Sequence, residues 1–226
     1  GFNKKQIAII GSPFFDKWFE SDPINPSLDS PSCPYILYLG SSGNIAKDES
    51  WVVEKLSKFI EESDLPQIKD LTILVKPHPA NSKPFERLSS FPAIKLWPDN
   101  CNLPETHKAR MSFYNAVKGS IFCLGINTSA MIDVAIMKKL CFALMIEQYS
   151  STQQNAMHFQ HLLNYNAVVS VETIEGLFDA YLNNINDLSS MNSYAQNAFV
   201  RKFIRPRGLS RSAGANAADI ILSMLN

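Results

Sequence analysis

The sequence has few cysteines, no net charge and no long hydrophobic run. None of its four cysteines belongs to a C-x-x-C pair, so a cysteine-based metal or redox motif is not indicated. Cys123 and Cys141 sit in apolar, strand-like runs, where a free thiol behaves as a small hydrophobe, and a reducing, cytoplasmic setting is expected. Lysine and arginine number 21, as do aspartate and glutamate, and this balance argues against a strongly basic nucleic-acid surface.

The sequence also shows no membrane-spanning segment and no secretion signal. The longest apolar runs, such as LCFALMI at residues 140–146, have the length of a strand and cannot span a bilayer. No basic-then-apolar signal segment opens the sequence. With 226 residues, 46% of them hydrophobic, the chain can build a proper core as one large domain or two small ones.

Strand-like and helix-like segments alternate from residue 35 onwards. The strand-like runs are 35–40, 71–77, 93–97, 120–125, 140–146 and 167–171, and helical segments such as ESWVVEKLSKFIEES at 49–63 lie between them. Such alternation favours parallel strands joined by right-handed crossovers, and near-continuous apolar strands are expected when helices cover both faces. The sequence therefore predicts a doubly wound, Rossmann-like α/β domain with a parallel sheet of about six strands and a helical C-terminal tail.

The chain divides into four predicted parts. Residues 1–20 include a predicted strand and a turn at Gly11, Ser12 and Pro13. Residues 21–34, SDPINPSLDSPSCP, are rich in Pro, Ser and Asp and predict a linker loop. Residues 35–187 hold the Rossmann-like domain, and residues 188–226 are expected to be helical with a break at RPRG.

Small, hydroxyl and basic residues gather where the predicted strands end. These segments are GSSGN at 40–44, KPHPAN at 76–81, PDN at 98–100 and GINTSA at 125–130. Open parallel sheets bind ligands beyond the carboxyl ends of their strands, so the four segments are expected to border one crevice. That coincidence carries more weight than any single motif.

His78 lies between two prolines directly after a strand, in LTILVKPHPAN. Pro77 and Pro79 fix their own φ near −65° and favour extended geometry in the residue before each of them, so the imidazole is held before a ligand arrives. Such a ring can donate to a phosphate oxygen or protonate a leaving group, and Lys76 can add positive charge. The alternative is a histidine that only hydrogen-bonds a carbonyl in a tight loop.

Two further strand-end loops are candidates for phosphate binding. In GINTSA, Asn127 or Thr128 can cap the next helix through a side-chain oxygen, and the hydroxyls of Thr128 and Ser129 add donors beside its free N–H groups. Plain helix capping is the alternative. In GSSGN, two glycines let a ligand approach the backbone, although a strand-to-helix turn would look the same. That loop contributes the candidates Gly40, Ser41, Ser42 and Gly43.

The remaining histidines and a basic cluster are weaker candidates. His158 and His161 share a face of a predicted helix, but two ligands do not make a zinc site, and we expect no metal. His107 is expected to face solvent. The string RKFIRPRGLSR brings together Arg201, Lys202, Arg205, Arg207 and Arg211. This cluster either binds an anionic substrate or partner, with Arg205, Arg207 and Arg211 as the candidates, or forms a solvated helix end.

Several motifs together resemble the C-terminal half of GT-B-fold transferases. VKPHP follows a strand, and a strand-G-x-x-T-S-helix segment comes roughly fifty residues later. IAIIGSPFFD is similar to a GSPRFD-type segment, and RPRGLSRSAGANAADII is similar to an RPxG tail. The families concerned build capsules and other surface polymers: CDP-glycerol glycerophosphotransferases, CMP-Kdo capsule transferases and bacterial polysialyltransferases.

The resemblance implies roles for four residues in two motifs. His78 and Pro79 match a His-Pro motif, and Thr128 and Ser129 match a Ser/Thr motif. Both motifs hold nucleotide phosphates in those families, so these residues are expected to bind the donor. His78 is the residue expected to act in the transfer itself.

Three other segments bear on the same resemblance. Gly40 to Gly43 match a glycine loop near the nucleotide. Asp133 stands where many GT-B enzymes place a glutamate on the ribose, although its side chain is shorter. Phe14 and Phe15 stand where an arginine is common before the aspartate, which is a second departure from the family pattern.

A complete GT-B enzyme needs two halves of domain size, and this chain is expected to supply one. The resemblance implies a cytoplasmic half that binds a CMP-, CDP- or UDP-linked donor as substrate, needs no further cofactor and binds no nucleic acid. The missing N-terminal half, with residues 1–20 as the connector, would lie in the same polypeptide or in a partner chain and would carry the acceptor site and catalytic base. Association with the cytoplasmic face of the inner membrane is compatible with the resemblance.

Two other functions stay open from the sequence. A UDP-GlcNAc 2-epimerase of the GT-B type shares the crevice and also needs two halves. A non-catalytic module could instead sense a phosphorylated ligand or dock on a partner through the arginine cluster. A metal-dependent hydrolase is not indicated, because no carboxylate cluster follows the strands.

Overall fold

Six strands form one parallel sheet in the computed structural model, which describes residue 3 and residues 7–19, 33–98 and 105–225. The strands are β1 (Tyr35–Leu39), β2 (Thr72–Lys76), β3 (Ile94–Leu96), β4 (Cys123–Gly125), β5 (Cys141–Leu144) and β6 (Val169–Val171). Their order across the sheet is β3-β2-β1-β4-β5-β6, so the winding direction reverses between β1 and β4. The predicted doubly wound α/β fold is confirmed, and such sheets bind ligands at that reversal.

Helices connect successive strands. Within the described residues they are α1 (Ser50–Glu61), α2 (His107–Gly119), α3 (Ala130–Ile136), α4 (Ser150–Gln154), α5 (Met157–Asn164), α6 (Ile174–Phe199) and α7 (Ala213–Leu225). Short 3-10 helices occur at Pro13–Trp18, Pro79–Asn81, Lys83–Ser90 and Glu147–Tyr149, and a π-helical turn covers Val200–Ile204. The segment KPFERLSS, Lys83–Ser90, takes the tighter 3-10 form that short helical pieces often take.

Helices cover both faces of the sheet, which explains why its strands are apolar along their length. Every residue of β1 is buried: Ile36 and Tyr38 belong to one core, and Leu37 and Leu39 to the other. The first core packs against α1, the 3-10 helix Lys83–Ser90 and the start of α6, and the second against α2, α3, α5 and the end of α6. Each fully buried aliphatic side chain contributes about 1.5–3 kcal/mol, so residues from both faces stabilise the sheet.

Residues 7–10 do not form the strand that the sequence predicts before the turn at Gly11. The Ser12 N–H donates instead to the carbonyl of Ile204 at 2.9 Å, outside the sheet. Gly11 adopts φ +95° there, and a Cβ at that position would lie 2.5 Å from the same carbonyl oxygen. Ile7 and Ile9 are 58% and 66% exposed, so the apolar run that suggested a buried strand lies at the surface.

The C-terminal part is more continuous than the predicted division implies. α6 runs from Ile174 to Phe199 and passes directly into the π-helical turn, so the boundary placed between residues 187 and 188 falls inside a helix. The chain leaves this helix at residues 205–208, the RPRG of the sequence, before α7 begins. Residues 21–32 of the predicted linker and the last two residues of PDN lie outside the described residues.

Candidate functional site

A cavity of about 350 Å³ opens at the carboxyl ends of β1, β2 and β4, where the sheet reverses direction. We call it the switch-point pocket. The predicted site residues that line it are Gly40, Lys76, His78, Pro79, Thr128, Ser129 and Asp133. Its volume is at the lower end of the range of small-molecule sites, and the strand-end loops that the sequence singled out after β1, β2 and β4 all reach it.

Two larger cavities lie elsewhere on the domain. One of about 850 Å³ lies between α1 and the start of α6, and another of about 910 Å³ runs along β6 and the later part of α6. Neither is lined by Lys76, His78 or Thr128. Because volume alone does not mark a binding site, we take the smaller pocket, which gathers convergent polar groups at the reversal point, as the candidate site.

The loop after β2 holds His78 in extended geometry, with φ −69° and ψ 136°. The Ala80 N–H donates to His78 Nδ1 at 3.1 Å, and we therefore assign the proton of the neutral ring to Nε2. Burial, and then the charge of Lys76, lowers the pKa of His78 below its ordinary 6.5. Near pH 7 the ring is thus a neutral hydrogen-bond donor whose orientation is set by its own loop.

Gly40 and Lys76 bring the ends of β1 and β2 into close contact. The Gly40 N–H donates to the Lys76 carbonyl at 2.8 Å, and a Cβ on Gly40 would lie 3.0 Å from both His78 N and Pro77 Cα. The glycine therefore serves the packing of two loops against each other. Lys76 is only 8% exposed, and its Nζ lies 5.6 Å from the centroid of the Phe113 ring, within cation–π range.

The turn after β4 places Thr128 and Ser129 at the pocket. Thr128 Oγ1 accepts from the Ala130 N–H at 3.4 Å, so Thr128 partly fulfils the predicted capping role. Ser129 precedes α3 directly, is exposed and makes no side-chain cap hydrogen bond. Both hydroxyls thus stand beside the pocket on a short, defined turn.

Of the two residues predicted as possible caps of α3, Asn127 does not cap it, and Asn127 lies outside the pocket. It is 1% exposed, and its amide nitrogen donates to the carbonyl of Gln153 at 3.0 Å. Its amide oxygen lies 2.9 Å from His158 Nε2. The side chain therefore joins the turn after β4 to α4 and α5, because a buried amide must find partners for both of its ends.

Glu49 is a buried carboxyl beneath the glycine loop that the sequence interpretation missed. It accepts hydrogen bonds from Tyr38 OH at 3.0 Å, from Ser41 Oγ at 3.1 Å and from the Ser41 N–H. Burial raises the pKa of Glu49 to about 7, while the hydrogen bonds from Ser41 and Tyr38 oppose that rise. Ser41 is fully buried by these contacts and anchors the loop, so it does not line the pocket.

The rest of the glycine loop is also held from below. Asn81 Nδ2 donates to the carbonyls of Ser41 at 3.1 Å and Ala46 at 3.0 Å, and so ties the loop after β2 to the loop after β1. Ser42 and Gly43 lie outside the pocket. Of the four GSSG candidates, only Gly40 reaches it.

Asp133 lines the pocket, but its carboxylate already has a partner. Trp18 Nε1 donates to Asp133 Oδ1 at 2.5 Å. Burial raises the pKa of Asp133 to about 6, against the opposing effects of the Trp18 hydrogen bond and of Lys17 and Lys76. The ribose role implied by the resemblance competes with this contact, since the indole occupies one of the two carboxylate oxygens.

One wall of the pocket comes from residues that were not candidates for binding. The 3-10 helix Pro13–Trp18 contributes Phe14, Phe15 and Lys17, and α2 contributes Arg110 and Phe113. Glu105 stands at the rim, where it is exposed. The sequence indicates this wall only in part. Phe14 and Phe15 stand out as departures from a family pattern, but no motif marks Arg110.

The three candidate arginines of the C-terminal cluster bind within the chain and lie outside the pocket. Arg205 is 6% exposed and forms a salt bridge with Asp16 at 2.8 Å, so it is not available to an external anion. Arg207 Nε donates to the carbonyl of Ile9 at 2.8 Å, and Arg211 pairs with Asp219. Arg205 and Arg207 therefore hold the N-terminal segment in place, and Arg211 pairs within the C-terminal part of the chain.

The described residues hold neither a metal-binding cluster nor a membrane-spanning helix. No group of three or more His, Cys, Asp or Glu side chains there is arranged to hold a metal ion. His158 is bound to Asn127, and the His161 ring lies 4.2 Å from that of Phe203. No helix in the described part has both the length and the apolar character needed to cross a bilayer.

Comparisons with solved structures identify the fold. The chain resembles UDP-GlcNAc 2-epimerase of Methanocaldococcus jannaschii in complex with UDP-GlcNAc and UDP, with 18% identity and a TM-score of 0.51 over 89% of this chain and 55% of that chain. It resembles a variant of the wall teichoic acid polymerase TagF soaked with CDPG, with 16% identity and a TM-score of 0.56 over 99% and 54%. It also resembles S. aureus MnaA with UDP, with 16% identity and a TM-score of 0.54 over 89% and 53%.

The chain thus has the fold of one half of a GT-B-type protein, as the sequence motifs predict. It spans little more than half the length of each of these three chains. No family model and no curated protein matches the sequence. At these levels of identity the comparisons establish the fold, and the chemistry has to be argued from the pocket.

Proposed function

We propose that this chain is the donor-binding half of a nucleotide-dependent transferase of surface-polymer biosynthesis. The observation that carries the proposal is the meeting of two strand-end segments in one pocket: Lys76 and His78 after β2, and Thr128 and Ser129 after β4. Together they provide a cation, a neutral imidazole donor and two hydroxyls. Such a set suits the phosphates of a CMP-, CDP- or UDP-linked donor.

The chemistry proposed for these residues is stabilisation of charge on the leaving phosphate. In a direct displacement the bond from the phosphate to the transferred group breaks, and negative charge grows on the leaving oxygen. The Nε2–H of His78 can donate to that oxygen, and Lys76 can lower its energy by its charge. Loss of one preorganised donor of this kind typically raises the barrier by about 3 kcal/mol.

The acceptor site and the catalytic base would come from a second half. The three similar structures are nearly twice as long as the part this chain covers, which supports that view. Ile221, Leu222, Met224 and Leu225 on α7 are each more than half exposed, so an apolar surface exists where another domain could pack. We place the assembled protein in the cytoplasm, where such donors are used, and peripheral membrane attachment stays a prediction.

Calorimetric titration tests the binding part of the proposal. We expect CMP, CDP, UDP or one of their glycerol or sugar conjugates to bind the wild-type chain and to bind His78→Ala at least about tenfold more weakly. Lys69→Met changes an exposed lysine that precedes β2, at the opposite end of that strand from His78 and outside the pocket lining, and this control should bind as wild type does. Absence of binding by all of these nucleotides at millimolar concentration contradicts the proposal.

A second candidate is an epimerase half, and the similarity to the M. jannaschii UDP-GlcNAc 2-epimerase favours it. Both candidates use the same pocket, so binding does not separate them. Product analysis after mixing UDP-GlcNAc with the chain and a reconstituted partner half does. Conversion to the C2 epimer without an acceptor supports the epimerase, and transfer to an acceptor supports the transferase.

A non-catalytic docking module receives less support. That interpretation depended on an accessible arginine cluster, and the structure buries Arg205 in a salt bridge with Asp16, while Arg207 and Arg211 make contacts within the chain at the surface. Partner binding that survives His78→Ala but is lost in Arg207→Glu would restore it.

A further inference from the structure

Two cations that no motif marked stand in the switch-point pocket beside the predicted phosphate ligands. Lys17 comes from the 3-10 helix Pro13–Trp18, and Arg110 comes from the first turn of α2. They belong to segments far apart in the sequence, and the fold brings both to the same 350 Å³ cavity as His78 and Thr128. A pocket that gathers positive charge from separate elements is a candidate for binding an anion.

Neither cation forms a salt bridge with a carboxylate within the described part of the chain. Lys17 Nζ lies 4.1 Å from the Phe14 ring centroid and 5.1 Å from that of Trp18. Arg110 Nη1 makes a long hydrogen bond of 3.4 Å to the carbonyl of Glu105. Burial lowers the pKa of Lys17, Asp133 raises it, and Arg110 lowers it again, as expected for two positive groups that face the same space.

The carboxylates of the pocket do not balance its cations. The pocket is lined by three cationic side chains, Lys17, Lys76 and Arg110, and by two carboxylates, Glu105 and Asp133. The Asp133 carboxylate accepts the Trp18 indole N–H, and Glu105 is exposed at the rim. An anionic group between Lys17 and Arg110 would relieve their repulsion and gain charge-assisted hydrogen bonds.

We propose that Lys17 and Arg110 form a second anion position in the switch-point pocket, so that the site takes a donor with two neighbouring anionic groups. This inference rests on the proposed function and refines it. One group would bind at His78, Thr128 and Ser129, and the other at Lys17 and Arg110. The second group is either the β-phosphate of a nucleoside diphosphate donor or the carboxylate of an acidic sugar joined to a nucleoside monophosphate.

Calorimetry with ligands that differ in one group tests the inference. The probes are CMP, CDP and CMP-sialic acid, titrated into wild type, Lys17→Met and Arg110→Gln. We expect at least one two-anion ligand to bind wild type about tenfold more tightly than CMP does. Lys17→Met and Arg110→Gln should remove that advantage and leave the affinity for CMP within about twofold.

The variants distinguish the source of the second group. Loss confined to CDP identifies a diphosphate donor, and loss confined to CMP-sialic acid identifies an acidic sugar. Methionine keeps an unbranched apolar stem against Phe14, and Lys108→Met, an exposed lysine on the same helix as Arg110, is the matched control. Equal affinities of wild type for all three ligands, or an equal loss for CMP in the variants, overturns the inference while leaving the proposed function intact.

A probe without a nucleoside separates the two proposals in the other direction. Thermal unfolding is followed with inorganic pyrophosphate and with inorganic phosphate. If no nucleotide binds but pyrophosphate still raises the unfolding temperature of wild type and not of Lys17→Met, the proposed function fails and the paired anion position stands. If neither anion nor any nucleotide stabilises wild type, both are overturned.

Discussion

Asp16 and Arg205, 189 residues apart in the sequence, form a salt bridge of 2.8 Å that joins the two ends of the described chain. Asp16 also accepts from the N–H groups of Ala213 at 3.0 Å and Gly214 at 2.9 Å, at the start of α7. Burial alone would raise the pKa of Asp16, but the two amides and the guanidinium together lower it. The 3-10 helix that carries Lys17 is therefore fixed to the C-terminal helix by one carboxylate.

Replacing Asp16 should lower the free energy of unfolding. In Asp16→Ala the guanidinium of Arg205 stays buried without its counter-ion and α7 loses its N-terminal acceptor, so we expect a loss of about 3 kcal/mol in the free energy of unfolding. Urea unfolding at pH 7 measures it. Arg211→Ala, which breaks the exposed pair with Asp219, should cost no more than about 1 kcal/mol. Similar losses in the free energy of unfolding of the two variants would show that the buried pair stabilises the fold no more than the exposed pair does.

Glu49 should make the stability of the chain depend on pH. The rise of its pKa from 4.5 to about 7 means that the folded state holds its proton more tightly than the unfolded state does. The stability that protonated Glu49 provides is therefore complete below pH 4.5 and declines as the pH rises towards 7. The rise in pKa corresponds to a loss of about 3 kcal/mol in the free energy of unfolding between pH 4.5 and pH 7.

Glu49→Gln isolates this contribution. Urea unfolding of wild type and variant between pH 5 and pH 8 should show wild type losing stability relative to the variant up to about pH 7, with little change above. A difference between the two proteins that does not vary with pH would mean that Glu49 ionises normally in the fold.

His78 should give ligand binding its own pH dependence. The pKa of the imidazole lies below 6.5 in the unbound chain, so lowering the pH converts a neutral donor into a charged one beside the phosphate. A diphosphate ester such as UDP-GlcNAc does not titrate in this range, and its affinity should rise about fivefold between pH 7.5 and pH 5.5. In His78→Gln, which keeps a donor that does not titrate, the affinity should rise less than in wild type, and the rise that remains reports other groups such as Asp133, whose pKa of about 6 lies in the same range. A wild-type rise no larger than that of His78→Gln contradicts direct contact between this ring and the phosphate.

Much of the fold could be predicted because its signals are local. Apolar runs of strand length, separated by helical segments, indicate the parallel sheet, and the rule that ligands bind beyond strand ends leads to Lys76, His78 and Thr128. The exception is residues 7–10, where an equally apolar run lies largely exposed, and the N–H of Ser12 beyond it bonds to Ile204. Nothing within the run itself distinguishes it from a buried strand.

The missed parts of the site depend on contacts between distant segments. Trp18 bonds to Asp133 across 115 residues. Lys17 and Arg110 line one pocket because that contact and the Asp16 salt bridge fix the 3-10 helix. Glu49 precedes α1, where a glutamate normally faces solvent, and only the fold shows it buried under Ser41. The side chain of Asn127 points towards α5, where His158 hydrogen-bonds to its amide oxygen.

Backbone and imidazole NMR during a titration with CDP or UDP tests the central claim most directly, that the loop after β2 and the turn after β4 hold one ligand. The account predicts saturable shifts of the His78 ring and of the amides of Thr128, Ser129 and Ala130, all fitting one dissociation constant. Shifts confined to another surface, or different constants for the two segments, would contradict it.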